Sequence, residues 1–109
     1  MSTRSAVLVH TLLSGFSANV LATVPAGETW ILKSLLLYNG AVSASSIYVI
    51  VRDPSATVDC YVAREVVAAQ TPFNWNGWVV LDAGSQIRGL QSVDGARVWA
   101  SGTRLVGTV

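Results

Sequence analysis

Turn-forming residues recur about every ten positions along this 109-residue chain, and that rhythm limits its fold more than any other feature. The signals are Ser14-Gly15, Pro25-Ala26-Gly27, Asn39-Gly40, Asp53-Pro54-Ser55, Asn74 to Gly77, Ala83-Gly84 and Asp94-Gly95. Gly and Asn reach the positive φ that tight turns need, and Pro presets φ. The segments between them are rich in Val, Ile, Leu, Thr, Trp and Tyr, which suit a pleated, half-buried surface. The expected fold is all-β: a single antiparallel β-sandwich domain over residues 1–109, jelly-roll-like, with about eight strands.

The expected strands run from about Ala6 to Leu13, Asn19 to Val24, Thr29 to Tyr38, Ile47 to Arg52, Val58 to Val67, Gly77 to Leu81, Ser85 to Leu90 and Ala96 to Ala100, with a final strand over Arg104 to Thr108. The third is long and apolar on both sides, as expected of a central strand. Strict alternation puts Leu32, Leu36 and Tyr38 on one face and Ile31, Leu35 and Leu37 on the other with Lys33. One face meets the core, and the other needs a cover such as a neighbouring subunit. Tyr61 to Gln70 has some helical character, but Val62, Val66 and Val67 favour strand. Ala41 to Ser46 reads as a small-residue loop. Residues 1–14 read as an N-terminal strand, or as an arm that completes a partner's sheet.

Composition bears on how such a sandwich meets its surroundings. Hydrophobic residues make up 51% of the chain and charged residues 12%, against the usual charged fraction of about 25%. That is too few charges to cover the surface of a solitary domain, so part of the surface is expected to pack against protein partners. A membrane span is not the explanation. The apolar runs at Trp30 to Leu32, Leu35 to Tyr38 and Ile47 to Val51 are far shorter than the roughly 20 residues a helix needs. Arg4 followed by Ala6 to Leu13 loosely imitates a signal peptide, but His10 and Thr11 interrupt it and no clean cleavage site follows. The formal net charge is +1 and the cations are scattered, which argues against nucleic acid as a partner.

Catalytic chemistry is hard to assemble from these residues. The carboxylates are Glu28, Asp53, Asp59, Glu65, Asp82 and Asp94, and four of them sit in or beside turn signals, where Asp commonly bonds its own backbone. His10 is the single histidine, with no nucleophile motif near it and no second imidazole for a metal. Cys60 is the single cysteine, so no internal disulfide is available, and its alternating context suggests a small buried hydrophobe. No enzymatic activity, cofactor or metal is expected. The aromatic residues are the more informative candidates. Trp30 and Trp99 lie inside strands and are expected in the core. Trp75 and Trp78 flank Asn76-Gly77, with Phe73 just before, in what reads as an aromatic turn. Trp75, Trp78, Phe73 and Tyr48 are the candidates for a subunit interface or for stacking on a glycan.

Two motifs carry a resemblance. Val24-Pro25-Ala26-Gly27-Glu28-Thr29-Trp30-Ile31-Leu32-Lys33-Ser34, closing at Asn39, resembles a "PAG-x-T" turn and apolar strand of small virion proteins of tailed bacteriophages. Leu81-Asp82-Ala83-Gly84-Ser85-Gln86-Ile87-Arg88 resembles their "L-x-x-G-D-x-I" turn, with Ser85 where Asp is usual. Val98-Trp99-Ala100-Ser101-Gly102 is similar to their short final strand, so the likeness covers about residues 20–103. The resemblance implies a structural protein of a tailed-phage virion, from the tail, baseplate or head decoration layer. Such a protein would be assembled in the host cytoplasm, pairing with itself as a trimer or ring and with other virion proteins. The alternative is a carbohydrate-binding module that touches a host surface through exposed aromatics.

Overall fold

The computed structural model describes residues 2–53 and 59–107. Within them the chain forms β1 (Ser2–Leu12), β2 (Asn19–Thr23), β3 (Glu28–Asn39), β4 (Ser45–Arg52), β5 (Asp59–Val67), β6 (Pro72–Leu81), β7 (Gln86–Gln91) and β8 (Ala96–Val106). They build two four-stranded antiparallel sheets, ordered β1-β8-β3-β6 and β2-β7-β4-β5. The chain crosses from one sheet to the other at most connections, which gives the interleaved strand order of a jelly-roll sandwich. The all-β sandwich expected from the turn rhythm is the fold the chain adopts. The turn at Pro54-Ser55, the start of strand five at Val58 and the end of the last strand at Thr108 lie outside the described residues.

Three expectations change, each for a local reason. Asn74 to Gly77 is not a turn but the middle of β6. Opposite it, the register with β3 passes from Leu32↔Val79 to Ser34↔Asn76, so Gly77 and Trp78 together face the single residue Lys33. The turn-like composition serves a bulge. The two last strands are one continuous β8, because Gly102 does not end it. A methyl group there would collide with the carbonyl oxygen of Ile31 on β3, so glycine is what lets β3 and β8 approach. The faces of β3 also differ from strict alternation. The irregularity at Lys33 shifts the phase, so Leu32 turns inward with Leu35 and Leu37, while Ile31, Leu36 and Tyr38 turn outward. The segment from Tyr61 to Val67 is strand, in keeping with its β-branched residues.

The core lies between the sheets. Val9, Trp30, Leu32, Leu35, Leu37, Leu81, Val98 and Ala100 from the first sheet meet Ile47, Val49, Ala63, Val67 and Ile87 from the second. β1 pairs with β8 of the same chain and places Leu8, the extra residue of its own bulge, and Val9 among these residues.

Two buried amides fix the loops at one end. Asn39 Nδ2 donates to the carbonyls of Ser43, Val67 and Ala68 at 2.9, 3.0 and 3.3 Å, and its Oδ1 accepts from Ala41 N at 2.9 Å. Gln91 Nε2 donates to the carbonyls of Leu13 and Gly15, and its Oε1 accepts from Ala96 N. Each amide thereby satisfies backbone groups that the sheets leave unpaired. At the other end Arg104 holds Glu28 through two hydrogen bonds of 2.8 and 2.9 Å, and Trp30 Nε1 donates to the same carboxylate at 3.0 Å.

Two substitutions test this account. Asn39→Ala strands buried carbonyls and is expected to lower unfolding free energy by about 1–3 kcal/mol in urea titration. Gly102→Ala forces two backbones apart, and an overpacking cost of about 1–3 kcal/mol is expected in the same measurement. A Gly102→Ala protein as stable as the parent would contradict the close approach.

Candidate interaction surface

The outer face of the first sheet is the most distinctive surface of the molecule. Its residues line up in rows across β1, β8, β3 and β6. One row is Leu12–Arg97–Tyr38–Pro72, the next His10–Trp99–Leu36–Asn74, and the next Val7–Ser101–Ser34–Asn76. Past the bulge lie Ile31, Lys33, Trp78 and Val80. Six large apolar side chains stand out to solvent here: Val7 (58% exposed), Leu12 (53%), Tyr38 (39%), Trp78 (65%), Val80 (54%) and Trp99 (44%). Singly such residues are unremarked on any surface, but gathered on one sheet face they form a patch of the kind that marks contacts.

The polar groups on this face are arranged around the aromatics. The His10 ring stacks on Trp99 with centroids 3.8 Å apart and planes 13° apart. Lys33 Nζ lies 5.3 Å from the Trp78 ring, a cation–π geometry that the bulge creates by placing the two residues opposite each other. The Ser34 and Ser101 hydroxyls bond each other across β3 and β8. Between them a shallow groove of about 250 Å³ is lined by Ser34, Leu35, Leu36, Asn74, Trp99 and Ser101. Among the described residues the charges on this face, Lys33 and Arg97, are both positive.

The four aromatic candidates from the sequence do not come together. Phe73 and Trp75 turn inward and pack against the core, with the Trp75 ring lying over the bare α-carbon of Gly77. Trp78 points outward on the first sheet, and Tyr48 lies on the outer face of the opposite sheet. Trp99, expected in the core, is instead half exposed at the centre of the outer face. Its neighbours Val98 and Ala100 are both buried, so alternation alone assigns Trp99 to the other side. That was the available signal. The sequence carried no signal for the His10 contact, because its partner Trp99 is distant in sequence.

The side chains with reactive chemistry have structural surroundings. Glu28 is bound to Arg104 and Trp30. Asp59 is bound to Arg52, and His10 is stacked on Trp99. Among the described residues no group of three or more His, Cys, Asp or Glu is placed to hold a metal. Among them too, no helix is long and apolar enough to cross a membrane. Cys60 is exposed rather than buried. It pairs with Val51 near the start of the edge strand β5, where the opposite sheet does not cover it.

No protein-family model matches this sequence, and no curated protein matches it significantly. Solved structures do share the fold. The Drosophila NLP core, whose structure concerns pentamer formation and histone binding, has a TM-score of 0.53 at 18% identity, covering 96% of this chain and 99% of that one. A structure of infectious bursal disease virus, Gx strain, gives 0.54 at 11% identity over 99% of this chain and 33% of the viral one. The T13 particle of the same virus gives 0.53 at 11% identity, over 94% and 30%. The chain therefore spans about a third of the viral chains but the full length of the NLP core. At these identities what is shared is the sandwich fold.

Exposure makes Cys60 a direct probe of the β5 edge. The native protein is expected to take up one maleimide per chain without denaturant, as read by intact mass. A thiol that reacts only after unfolding would place Cys60 in the interior.

Proposed function

We propose that the chain is a non-enzymatic structural subunit of a virion, and that it assembles through the outer face of its β1-β8-β3-β6 sheet. The observation that carries this reading is the patch of Val7, Leu12, Tyr38, Trp78, Val80 and Trp99 on that single face. Burying it against a partner would remove a large apolar area from water, at roughly 25 cal/mol per Å². The low charge content points the same way, because few ionised groups remain to keep such a face wetted. The fold suits the role: it occurs in particles of infectious bursal disease virus and in the pentamer-forming NLP core. The turn motifs around Pro25-Ala26-Gly27 and Ala83-Gly84 favour a tailed-phage tail, baseplate or head decoration component as the specific setting.

Charge also bears on the geometry of assembly. Lys33 and Arg97 are both cationic, so two copies meeting through this same face would set like charges together. A head-to-tail contact, in which the face meets a different surface of the next subunit, avoids that repulsion and generates a ring when the rotation between subunits closes.

Light scattering tests the proposal. The native protein is expected to have a mass that is a multiple of 11.5 kDa. Trp99→Lys combined with Leu12→Lys is expected to yield a folded monomer that still melts cooperatively, since both side chains point away from the core, with a melting temperature lower only by the stabilisation that assembly supplies. A native protein that stays monomeric at high concentration would overturn the reading.

A further inference from the structure

The outer face of the second sheet has a different chemistry. Its rows across β5, β4 and β7 are Arg64–Tyr48–Leu90, Tyr61–Ile50–Arg88 and Asp59–Arg52–Gln86. The Arg64 guanidinium lies 5.3 Å from the centroids of both Tyr48 and Tyr61. Those two rings meet edge-on, 5.7 Å apart at 90°. Below them Arg52 grips Asp59 through hydrogen bonds of 2.6 and 2.9 Å, and Arg88 Nη1 stands 4.0 Å from the same carboxylate. The Arg52 hydrogen bond holds the Asp59 carboxyl below its ordinary range, with smaller help from the charges of Arg52 and Arg88.

Three guanidiniums therefore share this face with one carboxylate among the described residues, and that carboxylate is engaged by Arg52. Arg64 has aromatic neighbours but no carboxylate partner among the described residues, and Arg88 Nε is buried without a hydrogen-bond partner. Beside Arg64 lies an open depression of about 360 Å³, lined by Phe16, Ser46, Tyr48, Leu90, Gln91 and Ser92. That volume falls at the lower end of the roughly 300–1,000 Å³ typical of small-ligand sites. Tyr48 belongs to both features, so the free cation and the depression adjoin. Gln91 holds the loops, but the hydroxyls of Ser46 and Ser92 stand at the rim. Ser92 Oγ accepts from Ser46 N at 2.8 Å, which leaves its own proton to donate.

We propose that this depression binds an acidic saccharide: a sugar ring resting on Tyr48 and Leu90 beside Phe16, with its carboxylate on Arg64 and its hydroxyls on Ser46 and Ser92. Each part of the site answers one part of that ligand. The aromatic and aliphatic floor matches the apolar face of a pyranose. The rim hydroxyls match its alcohols, and the planar guanidinium matches a carboxylate bidentately. A small inorganic anion would leave the floor uncovered, and a neutral sugar would leave Arg64 unpaired. The site lies on the sheet opposite the assembly face and shares no residue with it, so the binding test on the full chain is independent of how the chain assembles.

No tryptophan lines the depression, so calorimetry and NMR shift mapping on the full chain are the suitable readouts. The probe is trigalacturonate, with maltotriose as the neutral comparison and hexaglutamate as the acidic peptide comparison. Trigalacturonate is expected to bind and to shift resonances of Phe16, Tyr48 and Leu90. Arg64→Gln and Phe16→Ala, both at exposed positions, are each expected to weaken it, the former by about tenfold or more, as for loss of a charge-assisted hydrogen bond. Absence of trigalacturonate binding would overturn the proposal. So would equal binding of maltotriose or of hexaglutamate, or affinity that neither substitution changes while both variants keep the parent melting temperature.

Discussion

The structure depends on one apolar contact: the inner stripe of β3, Trp30, Leu32, Leu35 and Leu37, pressed against the second sheet. β3 is hydrogen-bonded on both edges, to β8 and to β6, so its position sets that of the whole first sheet. Fully burying a Leu side chain contributes about 1.5–3 kcal/mol, and three leucines of this one strand are buried completely or nearly so. The contact requires β8 to lie close beside β3, which Gly102 permits. It also requires the strand ends to be anchored, which Asn39, Gln91 and the Glu28–Arg104 pair provide. The buried amides are the costly part, and they are stable because every polar atom in them has a backbone partner.

The bulge at Lys33 links the core to the surface. Lys33 is an extra residue in β3, without a partner between Gly102 and Ser101 of β8, and it keeps Leu32 and Leu35 both inward, where even alternation would have sent one of them out. The same irregularity brings Lys33 over Trp78 and sends Ile31, Leu36 and Tyr38 outward. The apolar outer face is thus a consequence of how the inner face is filled. The two outer faces then differ: the first carries exposed aromatics with two cations, the second an arginine–tyrosine cluster around one carboxylate among the described residues. A subunit with one greasy face and one polar, cation-rich face can be fixed in an assembly by the former and present the latter.

The fold was readable because turn chemistry and β-propensity are local. Pro25-Ala26-Gly27 and Asp94-Gly95 sit at the connections expected of them, with Gly27 and Gly95 at positive φ. The β-branched residues of β4 and β5 sit in strands for the same reason. Legibility failed where a local signal had two outcomes. Asn74 to Gly77 has the composition of a turn and also of a bulge, and only pairing with β3 selects the bulge. Trp75 and Trp78 are three residues apart, so once the segment is a strand, alternation sends one inward and the other outward, whereas a turn would have imposed no such division. Cys60 alternates like a core residue, but an edge strand leaves its position uncovered.

By itself the sequence determined that the chain is a sandwich of short strands with more apolar surface than one core can hide, because turns, β-branched residues and charge count are properties of the chain alone. Only the tertiary structure decided where that surplus went. His10 and Trp99 are far apart in sequence and stack because β1 and β8 are paired. Arg64, Tyr48 and Phe16 come from β5, β4 and a loop, and become neighbours of one depression through sheet register. Register is set by long-range hydrogen bonding and by the bulges within it, and a single residue of slippage exchanges the faces of a strand.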